Sequence, residues 1–221
     1  MTNLENIFSD KNLYQKALTH KSWVNEHSNI RSSNERLEFL GDAVLEFVVS
    51  AHLYQNFPEK EEGYLTALRA SLVNTVNLSL VAKSLDLGKK IFLSKGEEET
   101  GGRENDSILA DTVEAVIGAI FIDSGLDSAT KFIKENILSG LEKKLKEPLK
   151  DPKSMLQEIV QSKGIAAPRY EVVGEEGPDH DKIFTVDVRF DSKTQGTGTG
   201  KNKSEAEQEA AGKAISALTD S

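Results

Sequence analysis

Residues 34–45 read Asn-Glu-Arg-Leu-Glu-Phe-Leu-Gly-Asp-Ala-Val-Leu, or NERLEFLGDAVL. Leu37, Leu40, Val44 and then Phe47 or Val48 recur every three to four positions, the period of a helix with one buried face. Glu38 and Asp42 stand four apart and therefore share one side of that helix. They sit beside Phe39, Leu40 and Gly41 rather than in a charged stripe. Like charges at this spacing repel and weaken the helix slightly. A divalent cation with oxygen ligands is the natural counter-charge. On spacing alone, a solvated acidic face or partnership with Lys and Arg is the commoner reading.

A second acidic pair lies in DSILADTVEA, residues 106–115. Asp111 and Glu114 are three apart and again share a helical face. Ala110, Ala115, Gly118 and Ala119 around them are small, so another helix can approach closely. If the two helices pack face to face, four carboxylates converge. That donor set suits Mg²⁺ or Mn²⁺, whereas no His or Cys at ligand spacing supports zinc. A carboxylate-held Mg²⁺ lowers the pKa of water and neutralises charge on a phosphoryl group.

Around these stretches the chain divides by period. Leu65, Leu68, Leu72 and Val76, then Leu109, Val113, Val116, Ile117 and Ile120, then Phe132, Ile133, Ile137, Leu141 and Leu145 continue the helical spacing. Pro58, Gly88, Gly101, Gly102 and Gly125 punctuate it. Residues 1–146 therefore read as an all-α bundle of amphipathic helices. Two prolines among charges, in KEPLKDPKS, mark a linker at 147–152. Residues 153–221 then read α-β-β-β-α: a helix at 153–163, strands at 169–173, 183–190 and 193–200, and an Ala-rich helix at 204–218.

Composition narrows the function. The chain has 221 residues, a mass of 24.2 kDa, a net charge of −9 and a pI near 5.1. A globally basic nucleic-acid binder is excluded, but a local binding surface is not. The absence of cysteine excludes disulfides, thiolate metal sites and thiol nucleophiles, and it fits a reducing cytoplasm. No apolar run approaches the roughly 18 residues of a membrane span, and the first 20 residues lack the pattern of a signal peptide, so no membrane partner is expected.

The signature at 34–45 resembles that of bacterial ribonuclease III. The likeness continues through ALTHKS at 17–22, Glu62-Gly63-Tyr64-Leu65, and GGRENDSILADTVEAVIGAIFIDSG at 101–125. The α-β-β-β-α segment is similar to a double-stranded-RNA-binding domain. The resemblance implies an endonuclease domain that works as a homodimer. Glu38, Asp42, Asp111 and Glu114 would be its metal ligands, with Asp42 and Glu114 catalytic. Glu35 and Glu62 would be secondary acids of the cleft. Phe39 would enter a pocket of the partner subunit, although periodicity alone favours an ordinary core Phe.

The implied reaction is Mg²⁺-dependent hydrolysis of double-stranded RNA, with Mn²⁺ substituting. Products would be 5′-phosphate and 3′-hydroxyl ends with short 3′ overhangs. The implied targets are ribosomal RNA precursors and other structured transcripts in the cytoplasm. In the second domain, Gln157, Glu158, His180, Lys201 and Lys203 match RNA-contacting positions, and the helix start at Ser204 offers N–H donors to a phosphate. Three glutamates (205, 207 and 209) depart from the family's basic pattern, and residues 151–221 carry nine Lys/Arg against thirteen Asp/Glu, a balance of −4. Binding is therefore expected to be weak and salt-sensitive.

Readings outside this class also exist. A non-catalytic double-stranded-RNA binder is one, and a carboxylate metalloenzyme for small phosphoesters is another. Of the remaining residues, His20 reads as an interior hydrogen-bonded histidine before a catalytic base. Trp23 reads as core. Asn105 and Asp106 read as a helix N-cap near the substrate. Arg69, Lys89 and Lys90 are candidate RNA-lining cations.

Overall fold

The apolar repeats close into helices throughout the first part of the computed structural model, which describes residues 4–27, 30–145, 151–178, 182–191 and 193–219. The helices are α1 (Lys11–Ala17), α2 (Lys21–Glu26), α3 (Glu35–Asn56), α4 (Glu62–Val73), α5 (Thr75–Ser84), α6 (Lys95–Glu99), α7 (Asp106–Asn136) and α8 (Leu141–Lys144). They belong to the unit Met1–Leu149. Side-chain caps start several of them. Asp10 accepts from the Asn12 N–H (2.9 Å), Asn74 from Asn77 (2.9 Å) and Ser94 from Glu97 (3.2 Å).

Asn74 changes one sequence expectation. The run from Leu65 to Val76 is not one helix, because Asn74 leaves the helical region and caps α5. Leu68 and Leu72 are buried, but Val76 is displaced to the surface at 64% exposure. On α3, Val48 and not Phe47 takes the buried position. Leu145, read as the end of a buried series, is exposed. Gly125 interrupts α7 with φ +79, a left-handed conformation that glycine adopts without strain.

The centre of this unit is the packing of α3 on α7. Leu37, Leu45, Val49 and Leu53 from α3 are buried with Val113, Val116, Ile117 and Ile120 from α7. The contact is closest where Gly41 meets Gly118. A Cβ on Gly41 would collide with the Glu114 carbonyl, and one on Gly118 with the Leu37 carbonyl. Residues 37–41 and 114–118 thus touch backbone to backbone. Only glycine permits this approach.

Among the described residues no single helix is long and apolar enough to cross a membrane; the bent pair α4–α5 matches by length and composition, but its Leu68, Leu72, Leu78 and Ala82 lie in this core.

The unit Lys150–Ser221 holds α9 (Pro152–Ser162), strands β1 (Arg169–Glu176), β2 (Ile183–Phe190) and β3 (Lys193–Gly200), and α10 (Lys203–Thr219). The sheet is antiparallel in the order β1-β2-β3, with Val172 opposite Val186 and Val186 opposite Gly198. Val186, Val188 and Phe190 alternate toward the core. Gly196, Gly198 and Gly200 line the same face of β3, and a Cβ on any of them would strike the backbone of α10 near Ala206, Ala210 or Ala214. Glycine on the strand and alanine on the helix together let α10 lie flat on the sheet.

Gly118→Ala is expected to destabilise the helical unit by about 1–3 kcal/mol, because backbone must move to admit the methyl group. Gly63→Ala, in α4 with no neighbouring atom within 4 Å, is expected to stabilise it by about 0.5–1 kcal/mol. Scanning calorimetry checks the opposite signs.

Candidate metal centre and nucleic-acid interface

The backbone contact at Gly41 and Gly118 fixes the acidic residues around it. Glu38 lies one turn before Gly41's successor Asp42, and Glu114 lies one turn before Gly118. Ligand oxygens of Glu38, Asp111 and Glu114 all lie within 4.8 Å of one another. All three side chains are partly buried. Asp42 is exposed and stands outside this tight set. Its charge still reaches the cluster, as the strongest of the neighbouring charges acting on Glu114.

Electrostatics mark the cluster as short of positive charge. Burial, then the Asp42, Asp111 and Glu38 carboxylates, push Glu114 up to about 8. Burial first, then Asp111 and Glu35, raise Glu38. Burial also raises Asp111, against the opposing effects of His20 and Lys21. Lys21 is the nearby cation, but its ion pair is with Glu35 at 3.7 Å, where both side chains are largely exposed. Among the described residues, no salt bridge joins Glu38, Asp111 or Glu114 to a basic side chain, and Lys21 offsets their charge only in part. An all-carboxylate set from two helices, with raised proton affinities, fits a hard divalent cation.

The remaining predicted residues fall into place around it. Glu35 also accepts from the Ser33 hydroxyl (2.9 Å). Glu62 lies on the rim of a separate cavity of about 480 Å³, lined also by Leu53, Tyr54, Phe57, Leu65 and Arg69. Phe39 is 80% exposed and so is not a core residue. His20 caps α2, its Nδ1 accepting from the Ser22 N–H (3.3 Å), and burial lowers its pKa. Trp23 is not a core residue either; it stacks on His27 (4.2 Å) and under Arg31 (5.1 Å).

Asn105 caps α7, accepting from Ser107 (3.0 Å) and Ile108 (3.2 Å). Asp106 pairs with Lys83 at 2.7 Å. Sequence reading passed over Arg103. Its guanidinium donates to the Gly88 and Ile91 carbonyls (2.9 and 3.1 Å) and to Glu98 (2.6 Å), anchoring the turn that leads into α7. Arg69 donates to Ser50 and pairs with Glu46, and Lys89 pairs with Asp86.

In the second unit, Gln157 and Glu158 are exposed on α9, and Lys201 and Lys203 are exposed at the start of α10. Lys203 Nζ lies 5.7 Å over the Phe184 ring. His180 lies outside the described residues. The helix start differs from expectation, since α10 begins at Lys203. Asn202 accepts from the Glu205 N–H (2.9 Å), and Glu205 accepts from the Lys201 N–H (3.0 Å), a variant of the capping box in which the acid reaches the residue before the cap. The three unexpected glutamates all have partners inside the domain. Glu205 closes this box, Glu207 pairs with Lys153 (2.5 Å), and Glu209 accepts from Thr199 and pairs with Lys213 (3.0 Å). Those hydrogen bonds, led by the Thr199 N–H, hold Glu209 down at about 2.

Residues 10–141 match the family described as Ribonuclease-III-like, and residues 152–218 match the Double-stranded RNA binding motif. The chain belongs to the ribonuclease III family. It is 45% identical over 215 residues to Ribonuclease 3 of Streptococcus pneumoniae strain P1031, covering 97% of this chain and 93% of that one. It is also 45% identical over 213 residues to Ribonuclease 3 of Natranaerobius thermophilus, covering 96% and 93%. A crystal structure of the ribonuclease III nuclease domain of Campylobacter jejuni is 44% identical, with a TM-score of 0.57, over 63% of this chain and 97% of that one.

The chain is an endonuclease for double-stranded RNA, with a helical nuclease domain followed by a double-stranded-RNA-binding domain. The family is metal-dependent, and the acidic cluster is a place where a cation fits.

The raised Glu114 pKa has a testable sign. The folded protein keeps this proton between the ordinary value of 4.5 and about 8, while the unfolded chain loses it. The contribution to stability is full below pH 4.5 and is lost as pH rises through about 8. Metal-free Glu114→Gln is therefore expected to melt near the parent temperature at pH 4 and increasingly above it from pH 6 to pH 9. Cation binding below pH 8 should release protons, read as a dependence of calorimetric heat on buffer ionisation enthalpy.

Proposed function

We propose that Glu38, Asp42, Asp111 and Glu114 hold Mg²⁺, or Mn²⁺ in its place, and that this site hydrolyses phosphodiesters of duplex RNA to 5′-phosphate and 3′-hydroxyl ends with short 3′ overhangs. The observation that carries this reading is the convergence of three carboxylates from α3 and α7 within 4.8 Å. A bound divalent cation supplies Lewis acidity toward the phosphate and lowers the pKa of water. The chain's own residues do the rest. Glu38 and Asp111 present oxygens from opposite helices. Glu114, which keeps its proton near neutrality in the metal-free cluster, would give it up to offer an oxygen to the cation. Asp42, more exposed, closes the set from the solvent side.

The anionic cluster by itself repels an RNA phosphate, so cleavage requires the cation. Glu35 acts at the edge of the acidic cleft and Glu62 at the edge of the separate cavity, in substrate or interface contacts. In the second domain Gln157 and Glu158 face a minor groove, His180 the next one, and Lys201 and Lys203 the phosphates between them. Ribosomal RNA precursors and structured transcripts of the cytoplasm are the substrates of this reading.

The enzyme works as a homodimer. Phe39, Phe47 and Tyr54 are exposed at 80, 59 and 76% along one side of α3. Such an apolar stripe supports a self-complementary interface. Phe39 of each copy then enters the cavity bordered by Leu53, Phe57 and Leu65 of the other.

Incubation of a long RNA duplex with the protein and Mg²⁺ tests the activity. Staggered products are expected, while intact duplex at every metal concentration contradicts it. Asp42→Asn and Glu114→Gln should bind duplex and cut at least about 100-fold more slowly. Phe39→Ala should weaken self-association by at least about tenfold in sedimentation experiments.

A further inference from the structure

The RNA-facing groups of the second domain come from two helices. Gln157 and Glu158 are on α9, and Lys201 and Lys203 are at the start of α10. A duplex presents its grooves at fixed spacing, so these groups must keep a fixed relation to one another. The apolar contact between the helices does not set that relation sharply. Leu156 and Val160 of α9 pack on Ala210, Ala211 and Ala214 of α10. Alanines form shallow ridges, which interlock less deeply with a facing helix than longer side chains do.

A polar clamp supplies the missing register. The Gln208 side-chain carbonyl accepts from the Lys153 backbone N–H (3.1 Å), one of the first-turn donors that α9 cannot satisfy internally. The Gln208 amide donates to Asp151 Oδ1 (2.9 Å). Asp151 is itself the cap of α9, accepting from the Ser154 N–H (3.1 Å) and hydroxyl (2.7 Å). The two partners fix the amide orientation, because an N–H must meet the oxygen and a carboxylate must meet the nitrogen. Alongside, Lys153 Nζ pairs with Glu207 and lies 4.9 Å over the Tyr170 ring. Gln157 is one turn beyond Lys153, and it borders the same recess of about 250 Å³ as Gln208.

We propose that Gln208 is a positioning residue for duplex RNA, which grips the N-terminus of α9 and so sets where Gln157 stands relative to Lys201 and Lys203. The proposal rests on the reading that these residues face the duplex. Gln208 itself makes no RNA contact. It acts through Gln157.

The test is steady-state cleavage of duplex RNA by the full chain in Mg²⁺, at a temperature where circular dichroism shows every variant folded. Gln208→Glu keeps the acceptor for Lys153 but sets a carboxylate against Asp151. It should raise KM about tenfold, with kcat within about twofold of the parent. Adding Asp151→Asn returns a donor to that pair, preserves the α9 cap and should restore KM to within about twofold. Gln208→Ala and Gln157→Ala combined should raise KM by less than the product of their separate effects.

A KM for Gln208→Glu within about twofold of the parent, or effects of Gln208→Ala and Gln157→Ala that simply multiply, overturns the proposal. If Gln157→Ala raises KM while the Gln208 variants do not, the clamp alone fails. If Gln157→Ala leaves KM unchanged, the RNA-facing reading of α9 fails and the clamp with it. Should Gln208→Glu unfold the domain, Gln208→Ala removes both hydrogen bonds without a new charge and carries the same KM expectation.

Discussion

The nuclease unit depends on two helices touching through their backbones. At Gly41 and Gly118 there is no room for a single methyl group between α3 and α7. Everything acidic at the site is displaced from that contact by no more than about two turns of helix. The close approach has a cost, because like charges are forced together in a partly buried place. The raised Glu38, Asp111 and Glu114 are the record of that cost. The fold supplies the compensating apolar burial along the rest of both helices, from Leu45, Val49 and Leu53 to Val113, Ile117 and Ile120. A site that is electrostatically unfavourable when empty is thereby held ready for a cation.

Much of this was legible in the sequence because it is local. The four-residue spacing of Glu38 and Asp42, the three-residue spacing of Asp111 and Glu114, and the small residues around the second pair each pointed to facing helices. The α-β-β-β-α order followed from a change of period near residue 150; β2 has the bounds that alternation assigned, and β3 those of the Gly/Thr-rich stretch. What pattern cannot supply is distance. It placed Asp42 level with the other three acids, whereas the tight set holds only Glu38, Asp111 and Glu114. Periodicity also favoured a buried Phe39, which is exposed. A helical repeat reports that a face is apolar, not whether the covering surface belongs to the same chain.

The second domain shows the same division. Its acidic balance read as a poor match to a polyanion. In the fold, Glu205, Glu207 and Glu209 have partners within the domain, in a capping box, an ion pair with Lys153, and contacts with Thr199 and Lys213. Asn202 with Glu205 three residues later is a recognisable capping-box spacing, and it places the helix start one residue before Ser204. The pairing of Glu207 with Lys153 and of Gln208 with Asp151 had no such signal, since the partners are more than 50 residues apart. Arg103 is a comparable case in the nuclease unit, a cation in a motif whose contacts within the unit are to the Gly88 and Ile91 carbonyls and to Glu98.

The central claim is that carboxylates from two helices share one cation. Anomalous diffraction from crystals grown with Mn²⁺ addresses it without reference to activity. The account predicts a peak at coordination distance from oxygens of Glu38 on α3 and of Asp111 and Glu114 on α7. A saturating Mn²⁺ concentration that gives no peak there, or a peak bound by one helix only, contradicts it.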